Sequence, residues 1–246
     1  MADRDEIVNY CNELLDTASF EDYCPNGLQV EGRRRVDLIV SGVTASQALL
    51  DEAVELGADL VLVHHGYFWR GEASPVVGMK ARRLRALLCA EINLLAYHLP
   101  LDAHAELGNN RQLGLRLGFD AGGPIGGLVW GVDLAAPLAP DELGERIATA
   151  VGREALRVGP AGPLRRVAWC TGAAQGMIEQ AAVAGYDAFI SGEISEQTLH
   201  QANELGITYF AAGHHATETF GVRRLGDVLA ERFGVRHAFI NLENPA

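Results

Sequence analysis

Three short segments place imidazoles and carboxylates at the ends of apolar runs. Val61-Leu62-Val63-His64-His65 closes one run, and Leu94-Leu95-Ala96-Tyr97-His98-Leu99-Pro100-Leu101-Asp102 closes a second. Ala211-Ala212-Gly213-His214-His215-Ala216-Thr217-Glu218 closes a third. In open α/β sheets, ligands and chemistry gather at the carboxyl ends of strands. Imidazole with carboxylate, and no thiolate among them, is a donor set for a hydrolytic or redox metal site. Metal binding is therefore the first expectation.

Neighbouring residues on a regular strand point to opposite faces, so His64 and His65 reach one site only if they lie just past the strand end, where they can splay toward two adjacent metals. A His-His pair after a valine-rich strand has no evident packing role, which favours ligation over a structural part. Asp102 is open between ligand, helix cap and turn residue, in a loop that Pro100 is expected to keep from becoming helix. His214 and Glu218, four apart at the start of a helix expected over Ala216 to Phe233, share one face. His215 stands three before Glu218 and can replace His214 on spacing alone. Glu193, in Ile190-Ser191-Gly192-Glu193, follows another strand end and suits either a general base or an orienting carboxylate behind a ligand. It equally suits an acidic residue favoured in a helix's first turn. His98 and His200 have no assigned role, and His104 is expected to be exposed. Three imidazoles and two carboxylates exceed the needs of one four-coordinate ion that also binds water. They fit two divalent ions about 3.5–4 Å apart with a shared carboxylate.

The elements that must position these groups follow from apolar pattern. Ile7, Cys11, Leu14 and Leu15 make a helical stripe after Asp3. Val36 to Val40 and Ala58 to Val63 are continuous apolar runs, as in parallel strands buried on both faces. Helices are expected at Ala45 to Leu56 and Lys80 to Ala90, and a strand at Ile92 to Tyr97. Gly57 to Val63 lines up with Gly185 to Ser191 at a constant offset of 128 residues, which sets His64-His65 opposite Gly192-Glu193. Ile92 to His98 likewise resembles Ile207 to His214. The pattern suggests duplication: an α/β fold of two similar βαβ-containing halves with mostly parallel sheets and a metal site in the cleft between them. The glycine-rich stretch Gly122 to Gly127 is the expected boundary, giving halves of 1–124 and 125–246.

The chain has 246 residues, 48% hydrophobic and 21% charged, ordinary values for a globular protein with a sizeable core. A net charge of -12 and the absence of a long basic run argue against non-specific nucleic-acid binding. The four cysteines form no C-x-x-C pair; Cys11, Cys89 and Cys170 read as small buried hydrophobes. No leader-like segment and no apolar run of 18 residues is present, so a reduced, cytoplasmic protein is expected, without membrane partners. Phosphate-loop and serine-hydrolase motifs are missing.

Pro25-Asn26-Gly27-Leu28-Gln29-Val30, Gly42-Val43-Thr44, Val63-His64-His65-Gly66, Leu99-Pro100-Leu101-Asp102, Ser191-Gly192-Glu193-Ile194-Ser195 and Ala212-Gly213-His214-His215-Ala216-Thr217-Glu218 together resemble the YbgI / Nif-three-like family. The resemblance covers essentially the whole chain and is nearest the bacterial YbgI-like branch. It implies an α/β fold, a two-metal centre in each subunit and a toroidal homohexamer built as a trimer of dimers. It assigns ligation to His64, His65, Asp102, His214 and Glu218. Many relatives carry Asn or Thr where this chain has Leu99-Pro100-Leu101. Longer relatives insert a ferredoxin-like domain for which Leu128 to Arg165 is too short. Members are often called GTP cyclohydrolase I type 2 homologues, which implies water attack on a purine C8 and imidazole-ring opening. No guanine-reading motif stands in this chain. Two functions are thus expected to compete: a dinuclear metal-dependent hydrolase acting on a small molecule such as a nucleotide, and a metal-binding or scaffold hexamer without turnover. Imidazole and carboxylate do not distinguish zinc, iron, manganese and nickel.

Overall fold

The computed structural model describes residues 1–246, which divide into two compact units. The first comprises Met1–His104 and Gly221–Glu243. Its five-stranded sheet runs in the order Arg236–Phe239, Leu38–Thr44, Leu60–His65, Asn93–Ala96, Gly27–Val30. The first four strands are mutually parallel, and Gly27–Val30 closes the edge antiparallel. The strands Leu38–Thr44 and Leu60–His65 are buried along nearly their whole length because both faces are covered. Val40, Val61, Val63 and Leu94 pack against Leu49, Leu50 and Ala53 of the helix Gln47–Glu55 and against Leu84 and Leu87 of the helix Gly78–Ala90. Ser46 starts the former helix by accepting the Leu49 N–H. Cys89 proves exposed rather than buried. It lies two residues past Leu87, which at 3.6 residues per turn is the opposite side of the helix.

The second unit comprises Ala105–Phe220 and Asn244–Ala246. Its six-stranded sheet has the order Gly123–Gly126, Val129–Leu138, Leu164–Trp169, Ala188–Ser191, Thr208–Ala211, Leu156–Val158. The Leu164–Trp169, Ala188–Ser191 and Thr208–Ala211 strands are parallel, while the outer strands pair antiparallel. One face is buried by Phe119, Trp130, Leu143, Ile147 and Trp169. The other is buried by Ile178, Ala181, Phe189 and Tyr209.

The boundary between units differs from the expected one. The chain parts at His104 rather than within Gly122 to Gly127, and residues 221–243 return to the first unit, where Arg236–Phe239 pairs with Leu38–Thr44. Gly122 is there for packing, and Gly126 and Gly127 take positive φ where an edge hairpin turns. A Cβ on Gly122 would sit 2.4 Å from the Trp169 ring, and the stretch forms an edge hairpin with Val129–Leu138.

The repeat visible in the sequence has a structural counterpart in each unit. Asp59 Oδ2 accepts the N–H groups of Asp37 and Leu38, and Asp187 Oδ2 accepts those of Arg165 and Arg166. In turn Asp59 N–H bonds Leu38 O and Asp187 N–H bonds Arg166 O. The Asn93 and Thr208 N–H groups then bond Asp59 O and Asp187 O respectively. Each aspartate thus pins the start of one strand to the start of the next, within the same helix-then-strand unit.

Candidate metal centre

In the first unit His64 and His65 are the last two residues of the Leu60–His65 strand, not residues beyond it. Both rings are nevertheless brought together, with centroids 4.6 Å apart. His64 is tied to the residue just past the Asn93–Ala96 strand and His65 to the end of the Leu38–Thr44 strand. His64 is fully buried, and its Nδ1 donates to Tyr97 O at 2.8 Å. A carbonyl only accepts, so this contact fixes the His64 tautomer and leaves Nε2 as the nitrogen able to ligate. His65 Nδ1 meets Thr44 Oγ1 at 3.2 Å. His64 Nε2 lies 3.5 Å from Asp102 Oδ1, and the Asp102 side chain is buried. Asp102 belongs to a short helix, Leu99–Ala103, where a proline-held loop was expected. Pro100 is compatible with helix here because it occupies the first turn, where its missing N–H has no intrahelical partner to lose.

His98 precedes that helix and its ring lies 5.1 Å from that of His64 and 5.8 Å from that of His65. Its Nδ1 lies 2.7 Å from Asp22 Oδ1. Asp22 is saturated: Oδ1 also accepts the Tyr23 N–H, and Oδ2 accepts Asn26 Nδ2 and the Leu99 N–H. Burial would raise the Asp22 carboxyl; hydrogen bonds from His98 and Asn26, the His98 charge and the Tyr23 N–H outweigh it and lower the pKa to about 2. Trp69 stands edge-on to the His98 ring at 5.0 Å. Asp22 and Trp69 carried no signal in the sequence, since each acts through a partner far along the chain. Asn26 was visible only within the block Pro25 to Val30 that carries the family resemblance.

In the second unit His214 is held between two carboxylates. Its Nδ1 lies 2.7 Å from Glu193 Oε1 and its Nε2 lies 3.1 Å from Glu218 Oε2. The expected single helix is instead two, His214–Thr217 and Thr219–Phe233, with Glu218 at the junction. Glu218 is 3% exposed, whereas the Glu193 side chain is 40% exposed. Burial lowers the His214 pKa, but the hydrogen bond and charge of Glu218, then those of Glu193, overcome this and push it up to about 9. Two carboxylates gathered on one imidazole make a site that favours positive charge, whether a proton or a cation supplies it. Gly172 shapes that site: at φ +70° its Cβ would stand 2.2 Å from Glu218 Oε1 and 3.4 Å from His214 Nε2. Beside Glu193 opens a cavity of about 350 Å³, lined also by Arg153, Ile194 and Gly213.

His104, His200 and His215 belong to none of the His, Asp and Glu clusters that could hold a metal ion. His200 is exposed on the helix Glu196–Leu205 and pairs with Glu196 at 3.5 Å. His104 is half-buried, not exposed, as the residue ending the Leu99–Ala103 helix. The His215 N–H donates to Ala246 O. The four cysteines are free, and no helix is long and apolar enough to cross a membrane.

Clusters of His, Asp and Glu that could hold metal ions are therefore present in the chain. The family model described as Duf34/NIF3 (NGG1p interacting factor 3) matches residues 2–245. A Pseudomonas aeruginosa protein named "GTP cyclohydrolase 1 type 2 homolog" is 57% identical over 245 residues, covering 98% of this chain and 97% of its own. Among solved structures, "protein ybgI, unknown function" superposes with a TM-score of 0.95 at 51% identity over the whole of both chains. A Thermus thermophilus protein does so at 0.93 and 35%, again over both whole chains. With the family pattern running from one end to the other, the chain belongs to the DUF34/NIF3 family.

Proposed function

We propose that the protein is a dinuclear metal-dependent hydrolase whose two divalent ions are ligated by His64, His65, Asp102, His214 and Glu218, with Glu218 shared between them. One observation carries the reading. Each unit holds an imidazole close to a buried carboxylate, and in each the imidazole's Nδ1 is anchored: His64 on Tyr97 O beside Asp102, His214 on Glu193 beside Glu218. Anchored imidazoles with basic Nε2 atoms are how proteins present nitrogen to metals. Neutral imidazoles cannot offset two dications, so the two carboxylates supply the compensating charge.

Divalent ions held there would supply Lewis acidity for hydrolysis near neutral pH. The chain's own residues orient and shape the site: Tyr97 O and Glu193 fix ring tautomers, and the buried position of Glu218 excludes competing water. A cavity of about 350 Å³ is of the size that small ligands use. The name of the Pseudomonas aeruginosa relative makes a nucleotide, and GTP ring opening in particular, the first substrate to try. Assembly as a homohexamer and residence in the cytoplasm, in keeping with four free cysteines, belong to the same proposal.

The test is turnover by metal-reconstituted protein across a nucleotide panel, beside Glu218→Gln. Metal-dependent product formation that Glu218→Gln abolishes supports the hydrolase. A protein that holds its metals and turns over nothing in the panel favours the metal-binding scaffold instead.

A further inference from the structure

The strand that ends in His64 and His65 runs on into a loop whose backbone is strained. Phe68 has φ +64°, a left-handed conformation that an aromatic residue rarely adopts. Its neighbours hold it there. The Tyr67 N–H donates to Gln29 Oε1 at 2.7 Å, the Tyr67 hydroxyl donates to Ala45 O at 2.8 Å, and the Arg70 N–H donates to Tyr23 O at 2.7 Å. Gly66 permits the close approach, since a Cβ there would stand 2.2 Å from Gln29 Oε1. Strain that the surroundings over-determine in this way clusters at functional sites. Here its result is placement. The Trp69 ring lies 6.0 Å from that of His65, and the Arg70 guanidinium carbon lies 5.9 Å from the centre of the Tyr23 ring. Tyr23 and Trp69 both stand edge-on to the His98 ring, at 6.4 and 5.0 Å.

We propose that Tyr23, Trp69 and Arg70 form a recognition surface beside the first unit's imidazoles, which takes the planar ring of a nucleotide on Tyr23 and Trp69 and its phosphate on Arg70. The inference rests on the proposed hydrolase and deepens it by naming what selects the substrate. Tyr23 is 58% exposed, and Trp69, unlike the buried Trp130 and Trp169, is partly open to solvent. One exposed ring says little. Two such rings flanking one imidazole, with an arginine between them and solvent, make a stacking platform with an anchor for an anion. Arg70 has the properties of that anchor. It is exposed, its side chain makes one hydrogen bond, to Asp22 O at 3.0 Å, and it pairs with no carboxylate in a chain of net charge -12. Its remaining N–H groups form the planar fork that matches two phosphate oxygens. The carboxylate of the same loop, Glu72, pairs with Lys80 at 3.4 Å instead.

Calorimetric titrations of the zinc-loaded protein with GMP, guanosine and inorganic phosphate test the assignment, with metal content measured on every sample. Wild type should bind GMP more tightly than either fragment. Arg70→Ala should weaken GMP about 10–100-fold, the loss of a charged hydrogen-bonded pair, and leave guanosine unchanged. Tyr23→Ala should weaken GMP and guanosine alike, about 5–100-fold, as when a stacked base loses its aromatic partner. Both variants should keep the wild-type metal content. Arg85→Ala, which removes an exposed arginine from the helix Gly78–Ala90, should bind all three as wild type does. Zinc-loaded wild type that binds neither GMP nor guanosine overturns this inference and leaves the metal centre standing. So do folded Arg70→Ala and Tyr23→Ala proteins with wild-type affinity for GMP. Wild type that takes up no zinc overturns the metal-centre reading, and this inference with it.

Discussion

Glu193 Oε1 and His214 Nδ1 lie 2.7 Å apart, and that single contact decides which nitrogen of His214 faces Glu218. Of the roles open to Glu193 from the sequence, the geometry favours the orienting carboxylate. Glu193→Ala should therefore reduce zinc affinity about 10–100-fold, while Glu193→Gln, which keeps an acceptor oxygen, should lose less. Competition titrations against a chromophoric chelator measure both. Equal, wild-type affinity in both variants would remove the role.

Asp22 links the same chemistry to acid stability. Its pKa falls from the ordinary 3.8 to about 2 on folding. A carboxyl with a depressed folded pKa contributes stability that is fully present above the unfolded value and is lost as pH falls through the folded one. For Asp22 that window runs from 3.8 down to about 2. Metal-free Asp22→Asn should thus unfold at a lower temperature than wild type at pH 7. The gap should narrow as pH drops below 3.8. A gap independent of pH would show that Asp22 contributes shape rather than charge.

Gly172 and Gly57 have nearly the same φ, +70° and +68°, in different surroundings. Alanine at Gly57 meets nothing within 4 Å and should cost only the left-handed conformation, about 1–2 kcal/mol. Alanine at Gly172 adds a collision with Glu218 Oε1. Gly172→Ala should lose metal as well as stability, and Gly57→Ala stability alone. Thermal unfolding together with metal content separates the two, and identical behaviour would deny Gly172 its part in shaping the site.

What was legible in the sequence was what lies close along it. His64-His65 and His214 with Glu218 are near neighbours, so strand end and helical spacing bring them into view. The duplicated unit was visible because Asp59 and Asp187 do the same backbone work in equivalent places. The Asp22–His98 contact joins residues 76 apart, and no local pattern announces it. The Leu99–Ala103 helix was obscured by Pro100, whose effect depends on whether it falls in the first turn or the interior. Gly122 looked like part of a boundary between halves because the Trp169 ring that requires it lies far along the chain.

The dinuclear centre stands or falls on the number of metals that the protein holds and on what holds them. Elemental analysis of reconstituted wild-type protein should give two divalent ions per chain. Glu218→Gln keeps size and removes the shared charge, so the folded variant should retain at most one ion tightly, beside an unaltered His200→Gln control. One ion or none in the wild type, or both ions kept by Glu218→Gln with unchanged affinity, would contradict the dinuclear centre and the hydrolysis built on it.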